Sequence, residues 1–260
     1  MFLRVGGKRL EARTIAARAS GAPTLVFLHE GLGSVSAWKD VPDQLAEATG
    51  FGALVYSRAG YGASDPVTLP RPLDYMVPEG EVVLPEVLAA AGVERAVLVG
   101  HSDGASIAIV HAGSAPRPGL LGMVLEAPHV ICEDRSVAAI ALAREAYRDS
   151  DLREKLARHH GDNVDLAFRG WNDAWLDPGF RAMDLVPWAE RARVPALLVQ
   201  ERDDPYGTTA QITLLERALG ARAETLLLDG DGHAPHKDLP EVVLPAIATF
   251  ALGVAGMKDR

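Results

Sequence analysis

Apolar residues in this chain come in short unbroken runs rather than in alternation with polar ones. "TLVFLHEG" (24–31), "ALVYSRAG" (53–60) and "AVLVG" (96–100) each rise through consecutive apolar positions and stop at Gly, Ser or His. Runs of this kind suit strands covered on both faces, as in a parallel sheet, since an exposed face would demand a polar residue at every second position. Further strands are predicted at 120–126, 196–200 and 223–228. Between them the spacing turns helical, at 38–49, at 79–91, at about 103–112 and in "LPEVVLPAIATFAL" (239–252). Pro240 near the start of the last segment suits a first helical turn, where its missing N–H costs nothing. Pro85 inside 79–91 implies a break or kink there. Residues 2–17 read as a hairpin turning at Gly6–Gly7. Strand and helix in regular alternation predict an α/β protein with a mostly parallel central sheet and helices on both faces.

One stretch breaks the alternation. Residues 130–190 separate two predicted strands by far more than a usual connection and read as helical throughout. "SVAAIALAREAYRD" and "DLREKLARHH" have helical spacing, and "LAFRGWNDAWLDPGF" carries Phe168, Trp171, Trp175 and Phe180. The chain therefore divides into a first core part (1–129), a helical cap or lid (130–190) and a second core part (191–260). Aromatics in such an insertion would roof a pocket; an extra pair of core helices is the alternative.

Composition narrows the partners. A net charge of −9 argues against nucleic acid and anionic membranes, leaving a small molecule as the expected partner. The N-terminus lacks an apolar signal core, and no run approaches the length of a membrane span, so a cytoplasmic location is expected. The single cysteine, Cys132, has no disulfide partner in the chain and reads as a buried small hydrophobe. A homo-oligomer formed through edge strands or the insertion is compatible with the sequence.

The candidate chemistry centres on "LVGHSDGASIAI" (98–109). Ser102 stands in a G-x-S-x-G between a predicted strand and a predicted helix, the context in which a sharp turn lifts a serine hydroxyl out of a sheet. The flanking Gly100 and Gly104 make room for that turn, and the helix starting at Asp103 points its free N–H groups at the hydroxyl. A serine needs a base, itself oriented by a third group. His233, in the Gly-rich turn of "LLLDGDGHAPH", is the candidate base; His236 is its competitor, while His29 and His101 flank the site as loop supports. The turn "ERDDPYG" after the strand 196–200 offers Asp203 and Asp204 as the orienting acid. Developing negative charge would need two N–H donors. The Asp103 amide is one; "HEGLGS" supplies the other, with Gly31 the choice and Leu32 next. Glu30, His129, Trp171, Trp175 and Tyr206 are candidate pocket residues. No metal or organic cofactor is implied, and "HAPH" lacks the context of a zinc site.

Together these segments resemble the α/β-hydrolase superfamily over nearly the whole chain. "LHEGLGS" looks like its oxyanion loop, "SRAGYGASDP" like the Gly-rich turn after the next strand, "GHSDG" like the nucleophile elbow, "DDPYG" like the acid turn and "GDGHAPHKDLPE" like the histidine loop. The resemblance implies a Ser102–His233–Asp204 triad and hydrolysis of an ester, amide, carbamate or thioester. Glu30 stands where the family's loop usually has glycine, Ser57 where Asp is common and Glu201 where glycine is frequent. Dehalogenases and epoxide hydrolases of this fold resemble each other in an Asp nucleophile, which Ser102 argues against. C–C hydrolysis of ring-cleavage products, and a catalytically silent binding protein, are the alternatives.

Overall fold

In the computed structural model, which describes residues 1–115 and 118–257, the apolar runs become the strands of one sheet. They are β1 (Phe2–Val5), β2 (Lys8–Ile15), β3 (Thr24–Leu28), β4 (Gly52–Tyr56), β5 (Ala96–His101), β6 (Leu120–Glu126), β7 (Ala196–Glu201) and β8 (Ala223–Leu228). Their spatial order is β1-β2-β4-β3-β5-β6-β7-β8. The first hairpin and its pairing to β4 are antiparallel; every later pair is parallel. Successive side chains alternate between two cores, as the pleat requires. Leu25 and Phe27 enter one with the helices Val41–Thr49 and Pro240–Met257, while Val26 and Leu28 enter the other with the helices Leu84–Ala90 and Asp103–Gly113. Because both faces are covered, neither requires polar residues. This is the fold the sequence pattern predicts.

The boundaries differ in instructive ways. β3 and β4 end at Leu28 and Tyr56, so His29–Gly31 and Ser57–Gly60 are loops at the carboxyl ends of the strands. In open α/β sheets this edge is where ligands bind. The helix expected at 38–49 is instead a short turn, Val35–Trp38, followed by the helix Val41–Thr49. Lys39, at φ 52°, turns the chain between them, and Pro42 fits only the first turn of the second. At 79–91 no break occurs. Helical backbone runs from Met76 to Ala90 through a wide π turn at Glu79–Val83, just ahead of Pro85. The final helix continues past 252 to Met257 with Pro245 inside it.

Between β6 and β7 the chain forms the helices Asp134–Asp149, Leu152–His160, Val164–Leu176 and Val186–Arg191 with short turns between them. A bridge between Ile131 and Asp184 closes the base of this insertion. Cys132 lies beside that bridge and is half-buried rather than buried, because the segment runs along the insertion's edge. Among the described residues no helix is long and apolar enough to cross a membrane.

Candidate active site

β5 delivers the chain to Ser102, and the helix Asp103–Gly113 carries it away at once. Ser102 holds φ 53° and ψ −117°, a conformation that L residues adopt only when their surroundings impose it. Its N–H donates to the Glu126 carbonyl at the end of β6 (2.8 Å), one of the bonds that impose it. Glycine is obligatory on the helix side. A Cβ on residue 104 would collide with the Leu28 backbone carbonyl of β3.

Two loops converge on the serine. The loop after β8 places His233 Nε2 3.0 Å from Ser102 Oγ. The turn after β7 places Asp204, 1% exposed, with its carboxylate oxygens 2.8 and 3.0 Å from His233 Nδ1. One of those oxygens also accepts the Tyr206 N–H (2.7 Å), so the carboxylate cannot swing away without losing a second bond. Asp203, in the same turn, is exposed. His233 is gripped through its backbone as well: His101 Nε2–H donates to its carbonyl (2.6 Å). Glu201 accepts the Gly232 N–H (2.9 Å) and fills the space that a side chain on Gly230 or Gly232 would need. The glutamate that departs from the acid-turn pattern thus braces the histidine loop.

His236 does not approach Ser102. It is buried against Glu126, whose Oε2 accepts both its N–H and its Nδ1–H at 3.0 Å, and it stacks on Trp38. His29 accepts the Arg58 N–H at Nε2 (3.1 Å), which leaves its ring proton on Nδ1 to be donated to the Glu30 carbonyl (2.7 Å). Burial, then the nearby Arg58 charge, hold this imidazole well below its ordinary value and so neutral.

Beside Ser102 and His233 lies a cavity of about 100 Å³. Leu32, Ile140, Trp171 and Trp175 give it apolar walls, and Glu30, Gly31, His129 and Tyr206 complete it. Trp171 packs so closely over Gly31 that a Cβ there would enter the indole ring. Ile140, Trp171 and Trp175 come from the insertion, which therefore covers the serine. Ile140 was not singled out by its sequence context: one isoleucine in "SVAAIALAREAYRD" carries no distinguishing mark. Neither were Arg58, Tyr75 and Glu126. Glu126 alone had a signal, a carboxylate closing the otherwise apolar run "LLGMVLE". The Tyr75 hydroxyl donates to Asp103 Oδ2 (2.5 Å) and accepts the Trp175 Nε1–H (3.1 Å), tying the helix start to the insertion.

His129 shows how strongly this region is desolvated. Burial, and next the adjacent His233 ring, push its imidazole down to about 3. Since the unfolded chain titrates near the ordinary 6.5, stability from this group is complete above that pH and is lost as pH falls from 6.5 toward 3. Between pH 7 and pH 5 the loss is about 2 kcal/mol. Urea unfolding is expected to show this increment in the wild type and not in His129→Asn; equal losses in both would contradict it.

A model of the alpha/beta hydrolase family matches residues 25–246, most of the chain and every segment that builds this site. The chain belongs to that family. A relative, 2-succinyl-6-hydroxy-2,4-cyclohexadiene-1-carboxylate synthase from Klebsiella pneumoniae (strain 342), is 27% identical over 257 residues, covering 88% of this chain and 94% of the relative. Among solved structures, the enol-lactonase from Burkholderia xenovorans LB400 superposes with a TM-score of 0.72 at 21% identity, covering 96% of this chain and 99% of the other. An esterase from Exiguobacterium antarcticum gives 0.75 at 15%, with 96% and 98% covered. These likenesses show the fold.

Two departures of this α/β hydrolase from the usual pattern are compensated nearby. Ser57, where Asp is common, donates its hydroxyl proton to Glu11 Oε2 (2.8 Å) and accepts the Val35 N–H (2.9 Å); β2 supplies the carboxylate that the turn lacks. Glu30, where glycine is usual, reaches to 3.6 Å from His101 Nδ1 and 3.9 Å from Lys237 Nζ. Burial alone would push its pKa up, but His101 and then Lys237 hold the carboxyl well below the usual range. Gly33 makes room for it, since a Cβ at that position would strike the carboxylate.

Proposed function

We propose that this α/β hydrolase is a serine hydrolase that cleaves a small, uncharged, largely apolar carboxylic ester through an acyl-enzyme. The observation that carries the proposal is the hydrogen-bonded series Asp204–His233–Ser102, with its serine end opening into an apolar cavity. Ser102 Oγ attacks the ester carbonyl while His233 Nε2 takes its proton. Asp204 holds the tautomer with the proton on Nδ1 and stabilises the imidazolium. The amides of Gly31 and Asp103 receive the oxyanion. His233 then protonates the leaving alcohol, and water, activated by the same imidazole, releases the acid.

The cavity supports a short, neutral acyl group. It measures about 100 Å³ and is closed over by Ile140, Trp171 and Trp175, which leaves little length beside the serine. The only charged side chain among its lining residues, histidines aside, is Glu30, and neither Arg nor Lys is among them. A substrate bearing a carboxylate, such as the one in the relative's name, would meet Glu30 and, among the described residues that line the cavity, no Arg or Lys. The dienoates of C–C hydrolysis meet the same obstacle.

Turnover of p-nitrophenyl esters from acetate to octanoate tests the proposal. Acetate to butyrate are expected to react best, Ser102→Ala to be inactive on all, and Trp171→Ala to shift the optimum toward longer chains. Activity surviving in Ser102→Ala would contradict the mechanism, and an optimum at octanoate the substrate class.

A further inference from the structure

The two amides assigned to the oxyanion belong to distant segments, and one buried side chain stands behind both. The Gly31 N–H shares a peptide unit with the Glu30 carbonyl, and in a planar trans peptide the two point in opposite directions. Whatever holds that carbonyl aims that N–H. Arg58 Nη2 donates to the Glu30 carbonyl (3.1 Å), which also accepts His29 Nδ1–H (2.7 Å) and the Gly33 N–H (3.2 Å). Arg58 Nη1 donates to the preceding carbonyl, that of His29 (2.5 Å), so of these donors Arg58 alone grips both. The same Nη2 lies 3.7 Å from Asp103 Oδ2, on the residue that supplies the second amide. Arg58 is 1% exposed, and its guanidinium lies over the Tyr61 ring.

We propose that Arg58 is a positioning residue that sets and polarises the oxyanion hole; this rests on the acyl-enzyme mechanism above. Its fork fixes two successive carbonyls of the oxyanion loop, and its contact with Asp103 registers that loop against the start of the helix. A cation bonded to the Glu30 carbonyl also draws electron density from its peptide, which makes the Gly31 N–H a stronger donor. The effect grows where water is excluded, as it is here. An ammonium cannot replace the planar fork, because it offers a point charge without paired parallel donors.

Inhibition by a trifluoromethyl ketone matched to the best ester separates this role from a merely structural one. The ketone forms a hemiketal oxyanion with Ser102, whereas the parent methyl ketone stays largely unreacted and reports ground-state binding. In Arg58→Gln, kcat is expected to fall about 100-fold, the loss typical of one oxyanion donor. Affinity for the trifluoromethyl ketone should fall by a similar factor, with KM and methyl ketone affinity within about threefold. Arg58→Lys, which keeps the cation opposite Asp103, is expected to lose about tenfold in the same two quantities, and it decides the matter if Arg58→Gln does not fold. Parallel loss for both ketones, or none for either, would overturn the role of Arg58. A wild type that forms no hemiketal with Ser102 by ¹⁹F NMR would instead overturn the acyl-enzyme mechanism, and the role of Arg58 with it.

Discussion

Replacing His233 by alanine is expected to lower kcat about a millionfold, and adding Ser102→Ala to that variant should lower it hardly further. The hydroxyl 3.0 Å from His233 Nε2 is a poor nucleophile at neutral pH without a base, and the base has no task without the hydroxyl. Residues that act as one unit lose their effect together, so their losses do not multiply. Steady-state kinetics on the best ester of the panel, for both single variants and the double, measure this. Losses that multiplied across the double variant would show the two side chains acting in separate steps.

Asp204→Asn should lower kcat by about 10⁴ with KM little changed, because an amide facing Nδ1 favours the tautomer that puts the proton on Nε2. The imidazole would then present a donor to Ser102 where an acceptor is needed. Asp203→Asn, one residue earlier and exposed, should stay within about twofold of wild type, as surface substitutions generally do. The pair makes a sharp comparison, since both change a carboxylate into an amide in the same turn. A large loss at Asp203 with little at Asp204 would reverse the assignment.

Much of this geometry was legible in the chain because its causes are local. Unbroken apolar runs can be strands only where both faces are covered, which gives the sheet; a serine framed by glycines between strand and helix marks the elbow. The segment carrying Trp171 and Trp175 stood out by its length and aromatics. What the sequence did not disclose depends on side chains that meet across the fold. Arg58 reaches the carbonyls of His29 and Glu30 from 29 and 28 residues away. Trp175 meets Tyr75 across 100 residues and Glu126 meets His236 across 110. No period or spacing encodes such pairings. The choice between Asp203 and Asp204 was of the same kind, since adjacent residues in a turn differ only in where their side chains point. Around Pro85 the limit was different: a proline forecasts a lost hydrogen bond, and the helix there passes through a wide turn instead of breaking.

In the proposed mechanism Ser102 becomes covalently bonded during turnover, and an active-site-directed fluorophosphonate tests this independently of the substrate. Peptide mass spectrometry after brief exposure should find one phosphonyl group, on Ser102, absent from Ser102→Ala and formed far more slowly in His233→Ala. No adduct at Ser102, or equal labelling of Ser102→Ala at another residue, would contradict the account.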